Sequence, residues 1–165
     1  KTSPVPEVGD LLVTVDTVAV SISDTMPIVA LSSGPRQRAA CGAFLNRRPA
    51  DPDKPPSAMM EDFTEYREVN GVWMDVYPPV PEWGPLTEDY DVVFFNGVGE
   101  GGLNACNEGG DIEPGEFLCS SSIPGKVMRQ GDNVRYDYTV AKAQGRTTFA
   151  GPTDFKMIAV FYENG

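Results

Sequence analysis

PGEFLCSSSIPGKVMR, residues 114–129, reads as two short strands and the turns that bound them. Pro114-Gly115 predicts a turn before a strand over residues 117–120. Pro124-Gly125 predicts the turn that leads into the next strand, over residues 126–129. Two strands joined by one turn form a sheet unit, so this stretch indicates β structure rather than helix.

The same pattern of short apolar runs between turn residues continues along the chain. Asn70-Gly71 is a strong hairpin signal, and Gly42 inside a strand indicates a β-bulge or close packing. Residues 61–69 are predicted as a short helix or an edge strand. Residues 155–162 are apolar on both faces, as in a strand inside a core. Further strands are predicted over residues 11–20, 28–31, 41–45, 72–77, 90–96 and 136–143.

The number and spacing of these strands predict an all-β fold, either a small barrel or a folded antiparallel sheet assembly. The sequence contains 17 Gly and 15 Pro in 165 residues, which excludes a helix bundle. Proline clusters predict two long loops, over residues 48–60 and 78–89. The length predicts a single β domain, residues 1–165.

Charge and composition exclude several classes of function. Lys and Arg number 13 against 24 Asp and Glu, a formal charge of −11, so nucleic acid and anionic membranes would be repelled. The sequence has no long apolar run, and membrane insertion is not expected. It contains no histidine, which excludes Ser-His-Asp and Cys-His nucleophilic sites and His-ligated zinc. We therefore predict no catalytic residues.

Three further features are candidates for cofactor, metal or redox sites. Gly97, Gly99 and Gly102 spell G-x-G-x-x-G after a strand, but no helix pattern follows, so a glycine-shaped turn is predicted and no cofactor. Cys41, Cys106 and Cys119 leave open one disulfide plus a spare or three buried thiols, and buried thiols are favoured. An acidic cluster does not match calcium-loop spacing, so a solvated rim and no metal site are predicted: Glu100, Glu108, Asp111, Glu113 and Glu116.

Four aromatic residues interleaved with prolines are the candidate binding residues. Trp73, Tyr77, Trp83 and Tyr90 could form a platform for a glycan or a protein partner. The alternative is that they cover the open side of a small barrel. Ser120-Ser121-Ser122 offers hydroxyl groups, and its simplest interpretation is the polar end of a strand before a turn.

The second half of the chain carries a longer pattern. NGVGEGG at residues 96–102, CN at 106–107, IEPGEFLCSSSIPGKVMRQGD at 112–132 and YTVAK at 138–142 follow one another in order. Over about residues 90–165 this series resembles the C-terminal domains of phage tail fibres and related virion proteins of large algal viruses. Phe117 replaces the usual Tyr, and Gly131 replaces an acid.

The resemblance implies a function and a location. Members of the group resemble fibre-tip domains that associate as trimers, and some relatives are intramolecular chaperones that cut themselves free. Self-cleaving relatives carry an acidic and aromatic segment before a Gly-Asp strand opening. Here residues 9–13, GDLLV, match the opening without such a segment. Autoproteolysis is therefore the alternative rather than the leading expectation.

We therefore expect a non-enzymatic structural module of a virion, on a fibre, spike or capsid surface. Its partners would be copies of itself, other virion proteins and a host-surface receptor or glycan, and its location the virion surface or the extracellular space. A homotrimer would bury apolar strand faces at residues 92–95 or 157–161.

Overall fold

The computed structural model describes residues 4–20, 25–60, 65–76 and 79–163, and these residues form eleven strands and one α-helix. The predicted all-β class is confirmed. Among the described residues no helix has the length and hydropathy to cross a membrane, and α1 (Trp83–Asp89) has seven residues. The strands are β1 (Leu11–Val20), β2 (Thr25–Leu31), β3 (Ala40–Pro49), β4 (Glu65–Val69), β5 (Val72–Val76), β6 (Asp91–Asn96), β7 (Glu100–Ala105), β8 (Phe117–Ser120), β9 (Val127–Arg129), β10 (Ala141–Ala143) and β11 (Lys156–Tyr162).

Five of the strands close into a small barrel in the order β10-β11-β7-β9-β8. Every neighbouring pair is antiparallel except β7 and β9, which run parallel where Ala105 pairs with Val127. Closure leaves the barrel without a free edge. The predicted turn between residues 120 and 127 joins β8 to β9, and the predicted strand over residues 117–120 is β8.

The barrel interior is filled by small and branched apolar side chains, as expected of a five-stranded wall. A second, smaller cluster contains Cys106, Cys119 and Met128. The members of the main cluster are Leu11, Ala43, Leu103, Ala105, Ile112, Leu118, Val127, Val140, Ala141, Ala143, Ile158 and Val160.

A four-stranded sheet, in the order β2-β1-β3-β6, contains the bulge that Gly42 predicts. The register between β1 and β3 shifts between Leu12 and Val13, and Gly42 pairs with Leu12. Gly42 has a φ of +149°, and a Cβ there would lie 2.8 Å from the carbonyl carbon of Asn96. Both expected features, a bulge and close packing, are therefore present.

Contacts divide the chain into two compact units. The larger comprises residues 2–16, 28–46 and 93–165 and contains the barrel, and the smaller includes residues 17–27 and 47–92. In the smaller unit β4 and β5 form the predicted hairpin, with φ of 53° at Asn70 and 80° at Gly71. Residues 65–69 take the strand alternative, and residues 61–64 lie outside the described part. The single β domain stays a prediction.

The two proline-rich segments contain more structure than loops. Ser57–Met59 form a 3₁₀ turn in which Met59 is 2% exposed, so the segment 48–60 is anchored. In the described part of residues 78–89, α1 occupies 83–89. Pro85 is tolerated in its first turn because a backbone N–H there has no intrahelical partner to lose.

The barrel differs from the sequence prediction in three places. β7 was not predicted as a strand because Gly101 and Gly102 weaken the β signal, yet a Cβ on Gly101 would lie 2.7 Å from the Tyr162 ring. β10 is shorter than the predicted 136–143 because Tyr136 N–H donates to Thr139 Oγ1 and closes a turn. β11 buries one face only, with Ile158 and Val160 inside the barrel.

Candidate functional site

The four predicted aromatic residues occupy different environments. Trp73 lies on β5 and is 57% exposed, and Tyr90, just after α1, is 40% exposed. Trp83 is 2% exposed, and its indole Nε1 donates to the carbonyl of Asp51 at 3.0 Å. Tyr77 lies outside the described residues. Trp83 therefore contributes packing, Trp73 and Tyr90 present ring surface to solvent, and a glycan site on these residues stays a prediction.

The glycine-rich segment leads into a strand. Gly99 has a φ of +74° and precedes β7, so the segment forms the expected glycine-shaped turn and continues into the barrel wall. A dinucleotide fingerprint needs a helix N-terminus at this point. The local geometry instead serves the entry of β7 into the barrel.

The acidic residues after β7 contact separate partners. Glu108 accepts hydrogen bonds from Ser122 N and Oγ, at 2.9 and 2.6 Å. Asp111 accepts from Phe149 N, and Glu113 contacts Arg146 Nε at 2.8 Å. No group of three potential metal ligands occurs among the described residues. These carboxylates therefore stabilise turns and loops of the larger unit.

The cysteine thiols and the serine hydroxyls at the end of β8 are further nucleophilic groups in the chain. All three cysteines are free, and burial raises the pKa of the Cys41 and Cys119 thiols to about 11. These two thiols are therefore protonated at neutral pH and are weak nucleophiles. Ser120 Oγ accepts from Gln37 N, and Ser121 Oγ contacts the carbonyl of Lys126 at 2.9 Å. The serines form a polar strand end, as predicted, and autoproteolysis stays a prediction.

An open polar cleft of about 420 Å³ lies in the larger unit, and no single motif in the sequence indicated it. Two ion pairs line it, Arg38 Nε to Asp137 Oδ2 at 3.0 Å and Arg135 Nη1 to Glu163 Oε2 at 3.4 Å. The Tyr136 ring, also at the cleft, stacks on Tyr138 with centroids 5.0 Å apart. Its residues come from three separate segments, which explains why local patterns missed it.

The outer face of β11 is apolar. We define the β11 face as Met157, Ala159 and Phe161, of which Met157 is 57% and Phe161 46% exposed. Gly102 on β7 pairs with Ala159, and the Met157 sulfur lies 3.1 Å from where a Cβ on Gly102 would be. Gly102 and Ala159 therefore separate the large side chains of Met157 and Phe161. Sequence alternation placed these residues in a core, and the structure places them on the barrel surface.

A buried ion pair joins the segment before β1 to the barrel. Lys126 Nζ lies 2.5 Å from Asp10 Oδ1, and the two side chains are 8% and 5% exposed. Asn104 Nδ2 also donates to Asp10 Oδ1 at 2.8 Å, and Glu7 Oε2 lies 3.4 Å from Nζ. The pair was missed because 116 residues separate its members.

Comparison with known proteins adds no further assignment. No family model, curated protein or solved structure matches the chain. The resemblance of about residues 90–165 to the C-terminal domains of phage tail fibres and related virion proteins of large algal viruses therefore stays a prediction.

Proposed function

We propose that this chain is a non-catalytic structural module of a virion, on a fibre, spike or capsid surface, and that it associates as a trimer. The sequence series over residues 96–142 motivates the virion setting. The exposed apolar β11 face supports the proposed self-association. Residues 92–95 are the second segment that a trimer is expected to bury. They lie on the edge strand β6 and include the exposed Phe94 and Phe95.

The β11 face supports association because a solvent-facing wall of an antiparallel sheet normally alternates apolar inside with polar outside. Here both sides of β11 are apolar, and its inner side is already filled by Ile158 and Val160. Burying the outer side chains in an interface would contribute roughly 25 cal/mol per Å² of apolar area. Phe161 lies opposite Glu100 on β7 and Lys142 on β10, so one acidic and one basic side chain flank it.

The net charge opposes association between identical chains. A formal charge of −11 on each copy produces mutual repulsion, which salt screens over a Debye length of about 8–10 Å. Association through the apolar β11 face should therefore strengthen as salt rises. An interface held by ion pairs would weaken under the same change.

Replacing Phe161 by Glu is expected to convert the trimer to a monomer, because it places a charge within the apolar interface. Light scattering at micromolar chain concentration should give three times the chain mass for the unmodified protein and one chain mass for the variant. Val98→Glu is the matched control, since Val98 is 81% exposed and lies off the β11 face. A monomeric unmodified chain at high and low salt would contradict the proposal.

Contact with a host glycan is the second part of the proposal, and the polar cleft supports it. Sugars are bound by planar polar side chains together with aromatic faces, and the cleft offers two Arg-carboxylate pairs beside Tyr136. The exposed Trp73 is the competing location in the smaller unit.

A glycan array probed with the trimeric protein should show binding that Arg135→Ala reduces at least tenfold, since it removes one planar donor group. Trp73→Ala is the paired variant and should leave that binding unchanged. The reverse result would move the site to the predicted aromatic residues. A blank array would remove glycan contact and leave the structural proposal to the light-scattering result.

A further inference from the structure

The buried ion pair holds an amino group against a carboxyl group. Lys126 Nζ, a nitrogen nucleophile when neutral, lies 2.5 Å from a carboxyl oxygen of Asp10. A second carboxylate, Glu7, reaches the same nitrogen at 3.4 Å. We propose that Lys126 and Asp10 join in an intramolecular isopeptide bond, with Glu7 as the proton acceptor.

The bond forms from the neutral form of the pair. Both side chains are more than nine-tenths buried. The transfer of one proton from Nζ to the carboxylate gives that neutral form without a change in net charge. The product of that transfer is an amine facing a carboxylic acid.

The carboxyl group of Asp10 is held by donors on both oxygens. Asn104 Nδ2 donates to Oδ1 at 2.8 Å, and the backbone N–H of Glu7 donates to Oδ2 at 3.0 Å. Donors in these positions polarise the carbonyl carbon and stabilise the negative charge that develops on oxygen during attack.

The walls of the site keep the reacting groups together. A Cβ on Gly125 would lie 2.8 Å from Asp10 Cγ, so the backbone packs directly against the carbon to be attacked. The Phe155 ring covers Nζ, with its centroid 5.5 Å away. Holding two groups in contact in this way replaces a bimolecular encounter with an intramolecular step.

The step balances without any co-reactant. The neutral Lys126 Nζ attacks Asp10 Cγ and forms the C–N bond, and the carboxylate of Glu7 accepts a proton from Nζ. Glu7 then returns that proton to the departing hydroxyl oxygen, the C–O bond breaks, and one water leaves. Glu7 is 79% exposed, so the proton that it holds can exchange with solvent. No oxidation or reduction occurs.

The bond would tie the segment before β1 to the barrel at the start of β9. The two residues are 116 positions apart, so the covalent link closes most of the chain into one loop. This clamp would resist pulling on the N-terminal segment. It does not depend on self-association or on the β11 face.

The test is the intact mass of the folded, purified chain measured in denaturant. The expected mass is lower than the sequence mass by one water. Trypsin should then fail to cleave after Lys126 and yield a branched peptide that joins residues 2–36 to residues 68–129. A full sequence mass with cleavage after Lys126 would overturn the proposal, as would a water loss located at another residue. A loss of ammonia would place the bond on Asn104 and overturn the assignment to Asp10.

Variants separate the roles of the three residues. Lys126→Arg keeps the positive charge but should retain the full mass. Glu7→Gln should also retain the full mass while folding normally, because Glu7 is exposed. Glu113→Gln, an exposed acid paired with Arg146, is the matched control and should lose water as the unmodified chain does. Complete cross-linking in Glu7→Gln would overturn the role of Glu7.

Discussion

Replacing Lys126 by Met is expected to lower the free energy of unfolding by about 3–5 kcal/mol relative to a chain in which Lys126 and Asp10 form an unlinked ion pair, the usual cost of removing one partner of a buried pair. Relative to a chain that has lost water the decrease should be larger, because the covalent link also restricts the unfolded chain. The substitution leaves Asp10 charged and 4% exposed, without its cation. Asn104 Nδ2 and Glu7 N still donate to the carboxylate, and these bonds hold the cost within that range. The hydrophobic part of the Lys side chain is retained by Met, so lost packing contributes little.

Urea unfolding of the variant and the unmodified chain measures this difference, with the intact mass of each sample determined alongside. Arg146→Met is the matched control, because its pair with Glu113 is exposed and should change stability by less than about 1 kcal/mol. Adding Asp10→Asn to Lys126→Met removes the stranded charge and should recover part of the loss. An effect no larger than that of the control would show that the pair does not anchor the segment before β1.

The β8–β9 unit of the barrel could be predicted from local sequence because its turn is chemically explicit. Pro124-Gly125 joins β8 to β9, and Gly125 has a φ of +75°, which few other residues adopt readily. Asn70 and Gly71 specify the β4–β5 hairpin in the same way. In these places the turn residues and the apolar alternation agree, and short-range information is sufficient.

Other elements depend on contacts that local patterns do not contain. β7 is a barrel strand between β11 and β9, although its glycines give a weak strand pattern. Gly101 is glycine because the Tyr162 ring occupies the space that a side chain would fill. The prediction that both faces of β11 are buried was wrong for a related reason. The sequence pattern shows that both faces are apolar, but it does not show whether another element covers the outer face.

The candidate sites show the same division. The sequence groups Trp83 with three other aromatic residues, either as a binding platform or as cover for a small barrel, but its indole donates to Asp51, 32 residues away, and it is buried. The pair of Asp10 and Lys126 and the polar cleft each combine distant segments. The sequence therefore gives the residue types and excludes histidine chemistry. Which side chains lie close together is known only from the three-dimensional structure.

Replacing Gly42 by Ala is expected to be among the most destabilising single changes, at about 2–6 kcal/mol, because backbone strain and steric overlap both apply. Its φ of +149° is one that side-chain-bearing residues rarely adopt. The added Cβ would also contact backbone atoms of Asn96 and Gly97, which cannot rotate away. Urea unfolding measures the loss directly.

Three other glycines separate the two causes. Gly99 has a φ of +74° with open space around it, so Gly99→Ala should show the conformational cost alone, about 1–2 kcal/mol. At Gly109 the Cβ would lie 2.8 Å from Arg129 N without a positive φ, so Gly109→Ala should show the steric cost alone, about 1–3 kcal/mol. Gly34 has neither feature, and Gly34→Ala should be nearly neutral. If Gly42→Ala lowers the free energy of unfolding no more than Gly99→Ala does, the backbone of β6 must shift to accommodate the new methyl group. The close contact between β3 and β6 would then not require glycine.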